Sequence, residues 1–288
     1  MADSFWVHNI NPFVLRFPEG WFTEGIRWYG VAYVVSFAIA ALLLQWYEKK
    51  GKISINIDQQ MTLLTALIVG VFLGGSFGYQ LLYDFSRFIH DPLAALRPWE
   101  GGMASHGAFV GVIISILWFS WYSARVSCFS VGDWVVTLVP PGLFLGRVAN
   151  FVNGEVWGKI TDVPWAVIFP QSAPRGFPIE LIPARHPSQL YEAGLEGLVL
   201  GIYLQWRFWR SDVLKRAPGQ LAGEFLLAYA LLRIVGECFR EPDAGLIMSI
   251  SRGQFYSIFV GIAGLFIVFW RAKAGKTLDL RSANNKGD

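Results

Sequence analysis

The chain has 288 residues, of which 54% are hydrophobic and only 16% are charged, and its formal net charge is +3. In soluble domains roughly a quarter of all residues are charged, so this composition favours an integral membrane protein. The small net charge, without a basic stripe interleaved with aromatic residues, excludes nucleic acid from the expected partners.

Seven apolar segments are each close to the roughly 20 residues that a helix needs to cross a hydrocarbon core. They cover residues 28–46, 61–82, 104–122, 132–151, 189–206, 220–239 and 254–270. We therefore expect an all-α integral membrane protein with about seven transmembrane helices, forming a single polytopic domain over residues 1–288. The loop at about 152–188 is rich in Pro, Gly and aromatic residues. We expect it to form a small extramembrane cap on the outer side, with a strand or two around Trp165–Phe169.

The distribution of Lys and Arg predicts the orientation, because cytoplasmic loops retain these residues. One set of loops holds 13 of them and the other holds 9, and acidic residues collect in the second set. We expect the N-terminus outside and the C-terminus in the cytoplasm, with a mobile tail at about 274–288. Cys128 and Cys238 then lie on opposite sides of the membrane, so no disulfide is expected between them.

Small residues predict how some helices pack. Gly70, Gly74 and Gly78 recur every four residues, as do Gly107 and Gly111. This spacing lets helix backbones approach closely, and packing alone explains it. Pro140, Pro141 and Gly142 are expected to interrupt the fourth span, at a place where neighbouring helices or a polar cavity satisfy the backbone groups.

Ionisable residues within the predicted spans are the strongest indication of a site. They are His106, Arg147, Glu192, Glu196, Arg233 and Glu237. Each costs at least about 2.5 kcal/mol to insert, so such residues pair with one another or line a polar cavity. Arg233 and Glu237 are four residues apart and can meet on one helix face. Four helices contribute charges at a similar depth, which indicates one shared site with more arginines than the nearby carboxylates need. The alternative is a set of structural ion pairs.

The segment GRVANFVNGEVWG at 146–158 concentrates polar groups where a helix leaves the membrane. Arg147 offers a planar donor fork that suits a phosphate. Asn150 and Asn153 can bond ester or hydroxyl oxygens, and Glu155 can hold an arginine or accept a proton. The glycines permit a tight turn and close approach of the backbone.

This segment closely resembles the signature of the prolipoprotein diacylglyceryl transferases. Further similar segments follow in the same order: RWYG at 27–30, GGMASHG at 101–107, RHPSQLYE at 185–192 and RIVGECFREPD at 233–243. The resemblance implies transfer of a diacylglyceryl group from phosphatidylglycerol to the lipobox cysteine of a preprolipoprotein, with release of glycerol phosphate. It places the protein in the bacterial cytoplasmic (inner) membrane, among membrane lipids, and implies no cofactor.

The resemblance also marks functional positions: Tyr29, Arg147, Asn150, Glu155, Gly158, Arg233 and Glu237. Arg147 and Arg233 would clamp the lipid phosphate, and Tyr29 and Asn150 would orient the headgroup. Glu155 and Glu237 would position the arginines.

Three further residues complete the expected site. His106 is the first candidate for the base that takes the thiol proton, since the unperturbed pKa of histidine is near 6.5. His186 is the second candidate, although a role in shaping its loop fits better. Arg240 is expected at the outer rim of the sixth span, guiding the lipid or the signal peptide.

The sequence departs from the family pattern at two positions. Ser76 stands where the family usually has Arg, and Ala149 where it usually has Gly. No metal site is expected, because the four histidines are scattered without paired spacing. Three other functions stay open: a transporter or channel for anions, a different membrane transferase that binds anionic lipid, and a relative that has lost catalysis.

Overall fold

The computed structural model describes residues 5–18, 20, 24–97, 102–242 and 245–284. Side chains at positions 105, 106 and 275–284 also lie outside the description. The chain forms two compact units. The small unit is Ala40–Trp134, and the large unit combines Met1–Ile39 with Val135–Asp288. Helix α1 (Trp28–Lys49) begins in the large unit and ends in the small one.

The small unit is built on two long helices. These are α2 (Ile57–Tyr83) and α4 (Ser105–Trp118), joined by the short α3 (Phe85–His90) and a 3-10 turn at Pro92–Leu96. A capping box begins α2: the Asn56 side chain accepts from Gln59 N at 2.9 Å, and the Gln59 side chain accepts from Asn56 N at 3.1 Å. A π-helical turn at Phe119–Ala124 extends α4.

Helices α2 and α4 pack through their glycines. A Cβ added to Gly70 would lie 2.6 Å from Gly111 O, and one added to Gly78 would lie 2.6 Å from Gly107 Cα. Any larger residue at these positions would force the backbones apart. The predicted close packing of the two glycine series is therefore confirmed.

The large unit holds the remaining helices. They are α5 (Cys128–Asn153), α6 (Ser188–Glu192), α7 (Leu200–Arg210), α8 (Val213–Arg216), α9 (Gln220–Glu237) and α10 (Arg252–Asn284), with α5 beginning in the small unit. A π-helical segment, Ala193–Val199, joins α6 to α7 without a break. Helix α9 packs along α10. The backbone of α10 includes most of the segment expected to be a mobile tail, and residues 285–288 lie outside the described residues.

Short strands complete the large unit. β1 (Trp6–Val7) pairs in parallel with β4 (Val167–Ile168), while β2 (Phe13–Arg16) pairs antiparallel with β3 (Gly25–Arg27). A strand is thus present within the stretch Trp165–Phe169, as expected. Its partner lies about 160 positions earlier in the chain, so no local pattern could identify it.

The two prolines of α5 do not interrupt the helix, contrary to the expectation. Proline has no N–H, so Pro141 cannot donate to Thr137 O, the carbonyl four residues earlier. The side chain of Gln205 on α7 donates to that carbonyl at 3.3 Å. The helix continues from Cys128 to Asn153 because a neighbouring helix supplies a replacement donor.

Five helical stretches in the described residues are long and apolar enough to cross a membrane: Trp28–Lys49, Ile57–Tyr83, Gly107–Ala124, Cys128–Asn153 and Arg252–Ala274. They coincide with five of the seven predicted spans, so the chain is a multi-pass, mainly helical membrane protein. The other two predicted spans are also helical, but both carry more charge. In α9 the charged residues are Glu224, Arg233 and Glu237.

Candidate active site

The signature segment ends helix α5 in a tight turn around Glu155. Gly154 and Val156 both have positive φ, at 66° and 60°, and for a β-branched residue such as Val156 this conformation is strained. The start of α6 holds the turn. Gln189 donates to Glu155 O at 2.6 Å, and Ser188 donates to Val156 O at 3.1 Å. The strain is stored beside a candidate catalytic carboxylate.

The carboxylate of Glu155 is held by amides. Its Oε1 accepts from Asn150 Nδ2 at 2.8 Å and from Asn153 Nδ2 at 3.3 Å. We expected Glu155 to hold an arginine or accept a proton and the two asparagines to bind the lipid. The contacts described here link these three side chains to one another.

The predicted buried charges of three helices meet in one place. Arg147 of α5 contacts Glu192 Oε2 at 2.8 Å and Glu196 Oε2 at 3.0 Å. Arg233 of α9 contacts Glu192 Oε2 and Glu196 Oε1, each at 3.1 Å, and also pairs with Glu237. The side chains of Glu192 and Glu196 are fully buried. The expected pairing of Arg233 with Glu237 on one helix face is present.

Arg240 belongs to the same group, which we call the arginine–glutamate cluster: Arg147, Glu192, Glu196, Arg233, Glu237 and Arg240. It lies 3.5 Å from Glu192 Oε1 and 3.9 Å from Glu237 Oε1. The residue is 8% exposed, so it is buried in the cluster, three residues after the end of α9 at Glu237. The cluster pairs three arginines with three glutamates, and the expected excess of arginine is therefore not observed.

Gly158 and His186 shape the backbone next to the cluster. Gly158 N donates to His186 O at 2.9 Å, and a Cβ on Gly158 would lie 2.5 Å from His186 O and 2.6 Å from Phe239 O. Only glycine fits between two carbonyls at this separation. Gly158 also forms an isolated β-bridge with Arg240, so this close approach brings the signature to the cluster.

The ring of His186 lies in an aromatic group. Its Nδ1 is 3.1 Å from the hydroxyl of Tyr191, which accepts from Trp165 Nε1 at 2.6 Å, and its ring packs on Phe239. Burial lowers the pKa of His186, and the nearby charge of Lys159 lowers it further. The contacts of the ring with Tyr191 and Phe239 favour the loop-shaping role.

Two other predicted residues take part in none of the contacts described above. Tyr29 lies in the first turn of α1, and the contact described for it is with the ring of Tyr33. His106 lies in the first turn of α4, but its side chain is outside the described residues. Of the two departures from the family pattern, Ser76 is buried in α2 and Ala149 is buried in α5.

The structure adds two residues that sequence reasoning missed. The phenol of Tyr229 interacts electrostatically with the charged side chains of Glu196, Arg233 and Arg147. Its position one turn before Arg233 on α9 was the available signal. The hydroxyl of Ser251 donates to Glu237 Oε2 at 2.7 Å. No group of three or more His, Cys, Asp or Glu side chains in the described part of the chain is arranged to hold a metal ion.

Comparisons with known proteins match this chain to a known family. The family model described as prolipoprotein diacylglyceryl transferase matches residues 21–270. A phosphatidylglycerol–prolipoprotein diacylglyceryl transferase from Pseudoalteromonas translucida is 43% identical over 251 residues, covering 86% of this chain and 89% of the relative. Proteins of the same name from Legionella pneumophila and Rhodospirillum centenum are 40% and 44% identical, over 92% and 84% of this chain and 98% and 86% of their own lengths.

The match runs through every segment of the cluster, from the signature at the end of α5 to Arg233 of α9 and to Arg240 after it. Identity at this level over most of both chains leaves no doubt about descent. The chain belongs to the prolipoprotein diacylglyceryl transferase family.

Proposed function

We propose that this protein transfers the diacylglyceryl group of phosphatidylglycerol to the lipobox cysteine of a preprolipoprotein, the first step of bacterial lipoprotein maturation. The cysteine sulfur attacks a glycerol carbon of the lipid and forms a thioether. The bond between that carbon and the phosphate oxygen breaks, and its electrons leave with glycerol phosphate. The thiol proton goes to a base. The relatives carry this activity in their names, and the family match extends over nearly the whole chain.

The observation that carries the proposal is the convergence of Arg147 and Arg233 on Glu192 and Glu196. As the bond to phosphate breaks, a monoanionic diester becomes a more highly charged monoester. Guanidinium groups that are already held in place stabilise this growing charge without having to reorganise. Such electrostatic stabilisation of the transition state is the largest contribution to the rate enhancement of many enzymes. The buried glutamates hold both guanidinium groups in place before the lipid arrives.

The other site residues fall into two groups. Asn150 and Asn153 act on Glu155, while Gly158 and His186 shape the loop beside Arg240. Tyr29 is proposed to orient the headgroup and His106 to take the thiol proton, and both roles rest on the family resemblance. No cofactor is needed for this reaction.

We also propose seven spans, with the stretch Ser188–Arg210 and helix α9 as the additional two. Their charged residues face one another in the cluster, which lowers the cost of placing them in a bilayer. The N-terminus would lie outside the bacterial inner membrane and the C-terminus in the cytoplasm. The segment at 152–188, held to β1 through β4, would form the outer cap.

The direct test incubates purified protein in phosphatidylglycerol liposomes with a lipobox cysteine peptide. We expect the peptide mass to rise by one diacylglyceryl unit, with an equal amount of glycerol phosphate released. Liposomes without phosphatidylglycerol and a peptide with Cys→Ser are the controls, and both should give no product. Binding of phosphatidylglycerol without any mass gain would instead favour a relative that has lost catalysis.

A further inference from the structure

The start of helix α10 contacts the arginine–glutamate cluster through Ser251. The residue is 7% exposed and forms a capping box with Gln254: its Oγ accepts from Gln254 N at 3.0 Å, and its N donates to Gln254 Oε1 at 3.1 Å. The same hydroxyl still has its proton to donate, and it donates to Glu237 Oε2 at 2.7 Å. One side chain therefore joins the helix terminus to a carboxylate of the cluster.

Gly253 provides the space in which this carboxylate lies. A Cβ at Gly253 would be 2.6 Å from Glu237 Cδ, well inside the closest distance that real Cβ atoms show. The Glu237 carboxylate thus lies directly over the first turn of α10. Its other oxygen, Oε1, faces Arg233 and is 3.9 Å from Arg240 Nε.

The two carboxylate oxygens of Glu237 therefore have different partners. Oε2 is held by Ser251, and Oε1 pairs with Arg233. A carboxylate held at one oxygen cannot rotate freely, so its second oxygen presents a fixed acceptor to the guanidinium. A hydrogen bond to a charged acceptor is also among the stronger ones in proteins.

We infer that Ser251 and Gly253 are positioning residues of the transfer site, which act through Glu237 to hold the guanidinium of Arg233 in place. The inference rests on the proposed function, because Arg233 matters to catalysis only if it faces the leaving phosphate. Neither residue touches the substrate in this account. Their effect is on how well Arg233 is oriented when charge develops.

The decisive variant is Ser251→Gly. Glycine is nearly as good as serine at the N-cap position, so α10 keeps its start while Glu237 loses its donor. We expect kcat to fall about tenfold to a hundredfold, the effect of one hydrogen bond to a charged group, with little change in the KM for phosphatidylglycerol. Ser251→Thr keeps a hydroxyl and should restore kcat to within about threefold of the wild type.

Matched controls exist on the same helix. Ser257 is also buried, but its hydroxyl donates to Gly253 O at 2.7 Å within α10, so Ser257→Ala should leave kcat unchanged. Gly253→Ala should lower kcat more than Ser251→Gly does, because its methyl group would displace Glu237. Gly261→Ala is its control, since a Cβ there meets only Ala230 Cβ, at 3.4 Å.

A second readout does not depend on transfer. Modification of Arg233 by an arginine-specific dicarbonyl reagent, followed by peptide mass spectrometry, reports how firmly this guanidinium is held. We expect Arg233 to react several-fold faster in Ser251→Gly than in Ser257→Ala. Equal rates in the two variants, or equal kcat, would overturn the inference. A wild-type protein that transfers no lipid while Arg233 still responds to Ser251→Gly would overturn the proposed function and keep the link between Ser251 and Arg233.

Discussion

Arg147 lies between two carboxylates that solvent does not reach, with its NH1 on Glu192 and its NH2 and Nε on Glu196. Lysine cannot reproduce this arrangement, because an ammonium is a compact charge on a flexible stem whereas guanidinium is a rigid planar fork. A residue that keeps the charge but loses the fork therefore separates geometry from electrostatics.

The variant Arg147→Lys is expected to lower kcat by about a hundredfold or more, comparable to the loss of one preorganised donor in other enzymes. Its free energy of unfolding should also fall by about 1–3 kcal/mol, since the buried Oε2 of Glu196 loses hydrogen bonds. Transfer assays and thermal unfolding of the same preparation measure the two effects.

Arg207→Lys is the matched control. Arg207 of α7 forms a bidentate ion pair with Glu224 of α9, outside the cluster. The Nε of Arg207 lies 2.7 Å from Oε2 of Glu224, and its NH2 contacts Oε1. Arg207→Lys should lower the free energy of unfolding about as much as Arg147→Lys does, and should leave kcat within about threefold of the wild type. An equal loss of kcat in the two lysine variants would show that the arginines of this protein act only by holding the helices together.

Residue type explains which parts of the site could be predicted from the sequence. Arg147 and Arg233 were identified because a bilayer rejects charge, and the partner Glu237 because it lies four positions from Arg233. Ser251 is a common residue type at membrane boundaries, so nothing in the sequence distinguished it, whereas the only signal for Tyr229 was its position one turn before Arg233. The arginine balance was misjudged because pairing with Glu192 and Glu196 depends on how α5 and α9 pack against the helix between them.

Helix α5 shows how one element depends on another. Pro141 leaves Thr137 O without its helical donor, and Gln205 on α7 replaces it. Gln205 also accepts from Trp209 Nε1 at 3.1 Å, which fixes the amide orientation from its own helix. The prolines were visible in the sequence, but the side chain that repairs the helix was not, because its partner lies 68 positions away.

A double-mutant cycle tests this repair. Gln205→Leu should lower the free energy of unfolding by about 1–3 kcal/mol, since it leaves a carbonyl short of a donor. In a Pro141→Ala background the alanine restores a backbone N–H as the helical donor to Thr137 O, so the same change should cost clearly less. Additive costs in thermal unfolding would show that Gln205 does not replace the missing helical bond.

The short strand β1 depends on a histidine. His8 follows it directly and is 2% exposed, its ring packed against Trp6, Phe151 and Phe169. Its backbone N donates at 2.8 Å to the carbonyl of Ile168, the last residue of β4. Burial lowers the pKa of His8 below 6.5, so the docked strand holds the neutral ring.

The sign of the pH effect follows. Because the undocked strand binds a proton more readily than the docked one, docking is fully stable above about pH 6.5 and weakens as the pH falls below that value. The protection factors of the β1 amides, which compare measured exchange with the intrinsic rate at the same pH, should therefore fall as the pH is lowered from about 7.5 to 5. His8→Phe, which keeps the ring packing, should remove this dependence. The same fall in protection in His8→Phe would assign the effect to another group.

At the scale of the whole molecule, composition predicted membrane character and the approximate spans. The predicted span 28–46 matches Trp28–Lys49, and 254–270 lies within Arg252–Asn284. What composition could not predict is the pairing of β1 with β4, because contacts between distant parts of the chain leave no periodic signal. The charged residues of α9 make the helix look too polar for a span when it is considered alone. Arg233 is neutralised by partners on other helices, and the composition of α9 does not show these contacts.

The two cysteines test the proposed orientation without introducing any new label site. Cys238 is exposed and Cys128 partly so, and both are free. In a Cys128→Ser variant we expect a membrane-impermeant maleimide to label Cys238 in intact spheroplasts. In Cys238→Ser, labelling of Cys128 should require permeabilised membranes. Reaction of both cysteines from the same side would rule out the proposed topology.

The balance of three arginines against three glutamates affects how the protein meets its lipid. A neutral group of charges produces a field that fades within a short distance, whereas a net positive site attracts anions from afar. The cluster therefore gives little long-range attraction, and in the proposed function it would recognise the lipid phosphate mainly on contact, by exchanging one ion pair for another. Lateral diffusion in the bilayer, which salt does not screen, would deliver the lipid, so capture should be largely insensitive to ionic strength.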